Sequence, residues 1–430
     1  MRNDGRITVV GGGLAGLAAA TYLARAGHAV TLCEKAPALG GRAATQDHEG
    51  YLFNAGPHAL YRGAEGAAVL RELGVAWTGR SPSATGGFAV DGGTRHALPG
   101  GFVSLLTTSL FGVAAKVETA RLLAGLGRIE AAAHDAVTTR AWAEAHLRHP
   151  DVRRFILAVL RLSTYAHDPE RQSAGAAIRQ LQLALAANVV YLDGGWQTLV
   201  EGLRAQAAAA GVDLRAGAGV ARVERDGRVA LRDGTALASD AVVLATGPDV
   251  AADLVADGRA SALGRWAAAA IPVRAACLDV ALARLPVPRA TFALGIDRPL
   301  YLSVHSASAR LAPADGAVIQ VARYLGAEKD PDPRATEREL EELLDLVQPG
   351  WRAHLVTRRF LPSMTVAHAL PTAAGGGLAG RPGPAVPDLP HVFVAGDWVG
   401  GEGQLADASL ASARRAARLI AERARASAAA

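Results

Sequence analysis

The chain predicts an α/β fold in which a parallel sheet is interrupted by an inserted α+β region carrying a helical subregion. Three observations lead there. An apolar strand at residues 7–10 runs through a glycine-rich turn into an Ala/Leu-rich helix. A strand apolar on both faces, 241–245, ends in Thr246-Gly247-Pro248, and a third, 392–395, ends in Gly396-Asp397 ahead of a long final helix. Apolar runs of that kind suit central parallel strands, and the material between them has another character, so one sheet is assembled from distant segments.

The first unit reads "ITVVGGGLAGLAAATYLARAGHAVTLCEK", residues Ile7 to Lys35. Within its Gly-x-Gly-x-x-Gly, Gly11 takes the tight turn. Gly13 removes the Cβ that would hold backbone away from a pyrophosphate, and Gly16 lets helix and strand pack closely. The helix N-terminus then faces the anion. Gly27 ends the helix, Ala29 to Cys33 makes a second strand, and Glu34 falls where a carboxylate accepts from a ribose 2′-hydroxyl. This is a complete dinucleotide-binding unit of Rossmann type. Glu rather than Arg at position 34 disfavours a 2′-phosphate and hence NADP.

Next comes "APALGGRAATQDHEGYLFNAGPHALY", without helical period, read as an ordered loop with extended pieces. Gly40 and Gly41 permit close backbone approach and Arg42 offers a charge to a phosphate, although a plain surface turn uses the same residues. Residues 116–187 are mostly helical in pattern, with breaks at Pro150 and Pro169. A helix over 197–210 follows, then short strands with hairpin turns at Asp226-Gly227 and Asp233-Gly234. Strand-like pieces fill 274–324, and 335–347 is an amphipathic helix with Leu340, Leu343, Leu344 and Val347 on one stripe.

Bulk properties exclude several classes. With 430 residues, 50% hydrophobic and 20% charged, the chain is globular and long enough for two domains. The formal charge of +5 is scattered Arg, with one block at 414–425 that alternates with Ala on a helix and reads as a solvated face, so no nucleic-acid partner is implied. Cys33 and Cys277 give neither a disulfide framework nor zinc spacing and suit a reducing cytosol; metal is not expected, and the absence of a leader pattern points to a cytoplasmic protein. The run "HALPGGFVSLLTTSLFGVAA", residues 96–115, is too short after Pro99, Gly100 and Gly101 to cross a bilayer. It suits either peripheral contact with a membrane face or the lining of an apolar pocket, and periodicity does not decide between them.

The segments "VVGGGLAGLAAATYLARAGHAVTLCEK" with "GGRAAT", "LATGP" and "VFVAGDWVGGEGQLADASLASARRAA", in that order, resemble the family of FAD-dependent oxidoreductases that includes amine oxidases, phytoene desaturases and protoporphyrinogen oxidases. The resemblance covers most of the chain. It implies a glutathione-reductase-like FAD domain made of 1–95, 188–265 and 388–430, with 96–187 and 266–387 forming the substrate domain. It also implies noncovalent FAD, with Gly11, Gly13 and Gly16 on the pyrophosphate, Glu34 at the adenosine ribose and Lys35 among the cofactor-binding residues. Gly41 and Arg42 would lie on the phosphate and flavin side, Val220 by the adenine, Gly247 and Gly396 at the strand ends, and Asp397 against the ribitol or pyrophosphate. The helix from Leu405 would aim N–H groups at the flavin edge where negative charge develops on reduction. His58 and Tyr61 would approach the flavin or the substrate, or serve as packed loop residues.

Departures from the family narrow the chemistry. Amine oxidases of this group carry a lysine near the flavin between the second and third motifs; the only one there is Lys329, in the turn-rich "AEKDPDP". The cage aromatic before the last helix aligns with Gln404, for which Trp398 is a partial substitute. These features favour hydride removal from an apolar, isoprenoid-like small molecule over amine oxidation, with non-redox flavin-dependent isomerisation as a further alternative. The electron acceptor and the oligomeric state leave no mark on the sequence.

Overall fold

The strand Arg6–Val10 lies at the centre of a five-stranded parallel sheet, in the order Asp213–Arg215, Ala29–Cys33, Arg6–Val10, Ala241–Leu244, Val392–Val394. This arrangement comes from a computed structural model that describes residues 5–83, 87–326 and 331–429; Lys329 lies outside the described residues. Val9 and Val10 pair with Val243 and Leu244 on one side and with Leu32 and Cys33 on the other. All four residues of Ala241–Leu244 are buried, as a strand covered on both faces requires. The first helix, Leu14–Arg25, and the last, Leu405–Ala429, share one apolar cluster that includes Leu17, Leu23, Leu410 and Ala413. That packing brings the two helix starts to the same end of the sheet.

A second, seven-stranded sheet has the order Leu355–Ala367, Val273–Leu282, Ala317–Leu325, Leu300–Val304, Phe292–Gly295, Gly87–Asp91, Thr94–Ala97. The helix Pro333–Val347 covers one of its faces, where Leu340 and Leu344 pack with Leu278, Val280, Leu302 and Ile319. Cys277, Asp279, Tyr301 and Ser303, which alternate with those residues, lie on the opposite face. The strand 87–91, on the nucleotide side of the boundary expected at 95, and the strand 94–97, which straddles it, pair within this second sheet, Gly87 beside Phe292. A period-2 pattern marks a strand but not the sheet it joins.

The helical subregion consists of Val113–Gly125, Thr139–His146, Pro150–Thr164 and Ala174–Ala187, packed around Trp142, Phe155, Ile156 and Ile178. Pro150 opens its helix at the first turn, where a missing N–H costs nothing. The expected solvated face of the final helix differs at Arg414, whose guanidinium is largely covered and ion-paired with Glu65 and Glu72.

Candidate active site

A cavity of about 700 Å³ lies between the ends of the first sheet and the open face of the second. Gly11, Gly13, Glu34, Lys35, Gly41, Arg42, Val220, Gly247, Gly396, Asp397 and Leu405 line it, as do His58 and Tyr61. Gly16, Trp398 and Gln404 do not.

The three motif glycines act differently. A Cβ on Gly16 would stand 1.8 Å from the Gly11 carbonyl oxygen, so this glycine serves the packing of helix on strand. Gly11 has φ +108°, and a Cβ there would meet the Ala245 carbonyl oxygen at 2.6 Å. Around Gly13 the nearest atom is the Gly40 carbonyl oxygen at 3.9 Å, so a side chain would project into the cavity rather than into protein. No side chain caps the helix that starts at Leu14. An uncapped helix start, backbone bare of Cβ and an adjoining cavity fit the pyrophosphate of a dinucleotide. The Glu34 carboxylate closes the same end, accepting from the N–H groups of Gly12 at 2.7 Å and Ala36 at 2.8 Å.

Arg42 and Asp397 meet across the cavity. Arg42 Nη1 donates to Asp397 Oδ2 at 2.6 Å and to the Val366 carbonyl at 2.8 Å. His368 Nδ1 lies 2.9 Å from Asp397 Oδ1, and the His368 N–H donates to Oδ2 at 3.2 Å. Burial alone would raise the Asp397 carboxyl, but the Arg42 charge and the His368 hydrogen bond outweigh it and hold the group well below the usual carboxylate range. Arg381 supports the loop from behind, donating to the carbonyls of Asp397 at 2.9 Å and Gly403 at 2.5 Å. Burial pushes its guanidinium down to about 10, opposed only by the charge of Asp397.

At the other end the wall is apolar. Tyr165, Ala275, Cys277, Met364, Val366 and Leu405 line the cavity and belong to one packed cluster. Burial keeps the Tyr165 hydroxyl and the Cys277 thiol well above their ordinary values, so both stay neutral. Tyr165 and Leu405 adopt φ of +59° and +56°, conformations that cost a non-glycine residue about 1 kcal/mol or more and mark the wall as tightly determined. The His58 ring packs edge-on against Trp196, with Nδ1 3.0 Å from the Gly56 carbonyl and Nε2 3.1 Å from that of Arg42. Burial pushes its imidazole down against those carbonyls, favouring the neutral form. Tyr61 donates to the Ser163 carbonyl at 2.6 Å, which ties the wall to the helical subregion.

Two expected pocket residues are corrected by this geometry. Trp398 is buried behind the strand ends, where its indole N–H donates to the Thr246 carbonyl at 2.9 Å and its ring neighbours Trp266. Gln404 is buried beneath the last helix and donates to the Ala176 carbonyl at 2.9 Å. In a tight turn, neighbouring side chains diverge, and proximity in sequence to Asp397 and Leu405 did not carry either residue into the cavity.

Sequence reasoning missed His368, Arg381 and Asp407. The first two lie in irregular chain between the second sheet and Val392–Val394, where no period announces a function. Asp407 sits in the first turn of the final helix, lines the cavity and accepts from the Gly66 N–H at 2.9 Å. Burial pushes its carboxyl up to about 7 despite that bond. A buried acid inside an otherwise Ala-rich helix face was the available signal.

The chain matches, over residues 14–421, the family model described as flavin-containing amine oxidoreductase. It is 55% identical over 51 residues to a carotenoid 3,4-desaturase of Haloarcula japonica, covering 12% of this chain and 10% of that one. It is 50% identical over 60 residues to an L-amino-acid oxidase of Naja atra, covering 14% and 12%. The matched stretches thus span about a tenth of those relatives' length. A crystal structure of an oxidoreductase from Methanosarcina mazei superposes with a TM-score of 0.75 at 18% identity, covering 97% of this chain and 100% of that one, which establishes the shared fold. With the family model spanning nearly all of its length, the chain belongs to the flavin-containing amine oxidoreductases.

Proposed function

We propose that this enzyme removes a hydride from an apolar, isoprenoid-like small molecule, in the manner of a desaturase or dehydrogenase. FAD when bound supplies the hydride acceptor and carries the electronic difficulty of the reaction. The chain supplies the remainder. Gly11, Gly13, Gly41 and the uncapped helix start would hold the pyrophosphate, with Glu34 at the ribose and Val220 by the adenine. Arg42 and Asp397 would face the ribitol and phosphate side. Arg381, held against the Asp397 and Gly403 carbonyls, would add positive potential near the start of the final helix.

The observation that carries the substrate reading is the wall of Tyr165, Ala275, Cys277, Met364, Val366 and Leu405. It offers shape and dryness, and no ionised side chain to receive an ammonium or a carboxylate. Of the charged groups lining the cavity, Arg42 is engaged with Asp397, Glu34 with backbone N–H groups and Asp407 with Gly66, while Lys35 and Arg232 lie with Glu34 and Val220 at the nucleotide end. Among the described residues no lysine adjoins this wall, since Lys35 lies beside Glu34 and Lys116 on the helical subregion.

The test is anaerobic reduction of the flavin-loaded enzyme, followed by visible absorbance. Bleaching by isoprenoid alkenes or alcohols, with none by diamines or amino acids, is the expected result. Reduction by an amine at comparable rate would move the enzyme to amine oxidation. Turnover that needs pre-reduced flavin, without net consumption of an oxidant, would establish the isomerase alternative.

A further inference from the structure

The apolar run at 96–115 lines no part of the cavity. It forms the short helix Phe102–Thr107 and the first turn of Val113–Gly125, and it faces outward. Phe102, Val103, Leu106, Val113 and Val117 are 77%, 71%, 55%, 82% and 46% exposed. Single exposed apolar residues are ordinary, whereas five within two adjoining helices form a patch that water does not favour.

On the two helices themselves the outward charges have one sign, although Glu130 is exposed two residues beyond Arg128. On the helix Val113–Gly125 the outward stripe is Val113, Val117, Ala120, Arg121 and Ala124, while Ala115 and Thr119 face the protein. Lys116 donates to the Leu106 carbonyl, joining the two helices, and Arg121 and Arg128 stand exposed beyond. The one acid of the helix, Glu118, is turned away, its carboxylate accepting from the N–H groups of Arg148 and His149 at 2.7 and 2.9 Å. Apolar side chains beside cations, without an outward acid on either helix, complement a surface that is apolar beneath and anionic above. A second copy of the chain meeting this patch through a two-fold axis would instead bring two sets of these cations into one interface, with no outward acid of either helix to pair them.

We propose that this face docks the enzyme on an anionic lipid bilayer, with Phe102, Val103, Leu106 and Val113 entering the headgroup boundary and Lys116, Arg121 and Arg128 facing lipid phosphates. The attachment is peripheral: no helix among the described residues is long and apolar enough to cross a membrane. The inference is independent of the cofactor and substrate assignments above.

The experiment is co-sedimentation of the full-length, flavin-loaded enzyme with phosphatidylcholine vesicles, with and without phosphatidylglycerol. Binding to the anionic vesicles that falls as salt rises is expected. Phe102→Asp with Val113→Asp is expected to lower the partition roughly tenfold or more, with the flavin spectrum unchanged as evidence of folding. Lys116→Gln, Arg121→Gln and Arg128→Gln together are expected to abolish the preference for anionic vesicles. Failure of the wild-type enzyme to bind either vesicle type overturns the proposal. So does vesicle binding indifferent to these substitutions, or a concentration-dependent dimer in light scattering that the Asp variants dissolve, which would assign the face to a second copy.

Discussion

One end of the cavity is built from backbone and the other from side chains. Around Gly11, Gly13 and Gly41 the lining is main chain, fixed by the sheet and helix beneath, and it can recognise only what every nucleotide shares. Around Tyr165, Cys277 and Met364 the lining comes from separate elements that meet only in the folded protein. The first end tolerates little substitution because an added atom meets backbone at Gly11 and takes up cavity space at Gly13. The second can change its shape without disturbing the first, and a common fold thereby serves unlike substrates.

Several substitutions would break or sharpen that contrast, and the largest effect is expected within the glycine motif itself. Gly16→Val places its Cβ against the Gly11 carbonyl, and a loss of about 4 kcal/mol or more is expected in urea unfolding, with no flavin retained. Gly13→Val is the counterpart: its Cβ meets open cavity, so the flavin-free protein should unfold within about 1 kcal/mol of the wild type while failing to take up FAD. If both variants lose stability equally, the two glycines do not divide packing from cofactor approach.

Asp397→Asn comes next. It removes the partner of Arg42 and His368, and FAD affinity measured by fluorescence quenching should fall about tenfold to a hundredfold. The same carboxylate gives a stability term of definite sign. Its folded value lies below the unfolded value near ~4, so its contribution is present above that pH and is lost as pH falls towards the folded value. The wild type should therefore lose its advantage over Asp397→Asn only on acidification below about pH 4.

Asp407 has the opposite sign. Its folded value is raised to about 7, so the protonated form stabilises below pH ~4 and that contribution is lost as pH rises to about 7. Asp407→Asn should match the wild type below pH ~4 and exceed it increasingly as pH rises to about 7, by roughly 4 kcal/mol at the plateau in urea unfolding. No change with pH would place the ionised carboxylate comfortably at the start of the helix. The smallest effect belongs to the cysteines. Both are buried with thiols pushed up, Cys33 to about 11, so the native protein should leave a thiol reagent unreacted until denatured.

The legible part of the molecule was the part whose physics is local. Gly-x-Gly-x-x-Gly between a strand and a helix states a backbone requirement at fixed spacing, so the first unit and the strands 241–244 and 392–394 followed from short stretches of chain. The helix 333–347 followed from its apolar stripe, and the turns at Gly227 and Gly234 from their Asp-Gly pairs. What remained hidden depends on tertiary arrangement. His368 reaches Asp397 from another strand's end, and Arg381 holds its loop through two carbonyls, a contact with no sequence signature. Trp398 and Gln404 sit in the right segment and point the wrong way. The strands 87–91 and 94–97 had no reading in the sequence, and their sheet is set by a partner two hundred residues away.

The last strand of the five-stranded sheet, Val392–Val394, and the helix that follows close the cavity through Gly396, Asp397 and Leu405, and that helix packs on the first one. During synthesis, therefore, a ribosome must deliver nearly the whole chain before the flavin has a complete home, although the glycine turn emerges first. Cofactor loading becomes a late checkpoint in biogenesis. A nascent chain stalled before residue 392 carries the nucleotide signature but lacks the Gly396, Asp397 and Leu405 wall of the cavity.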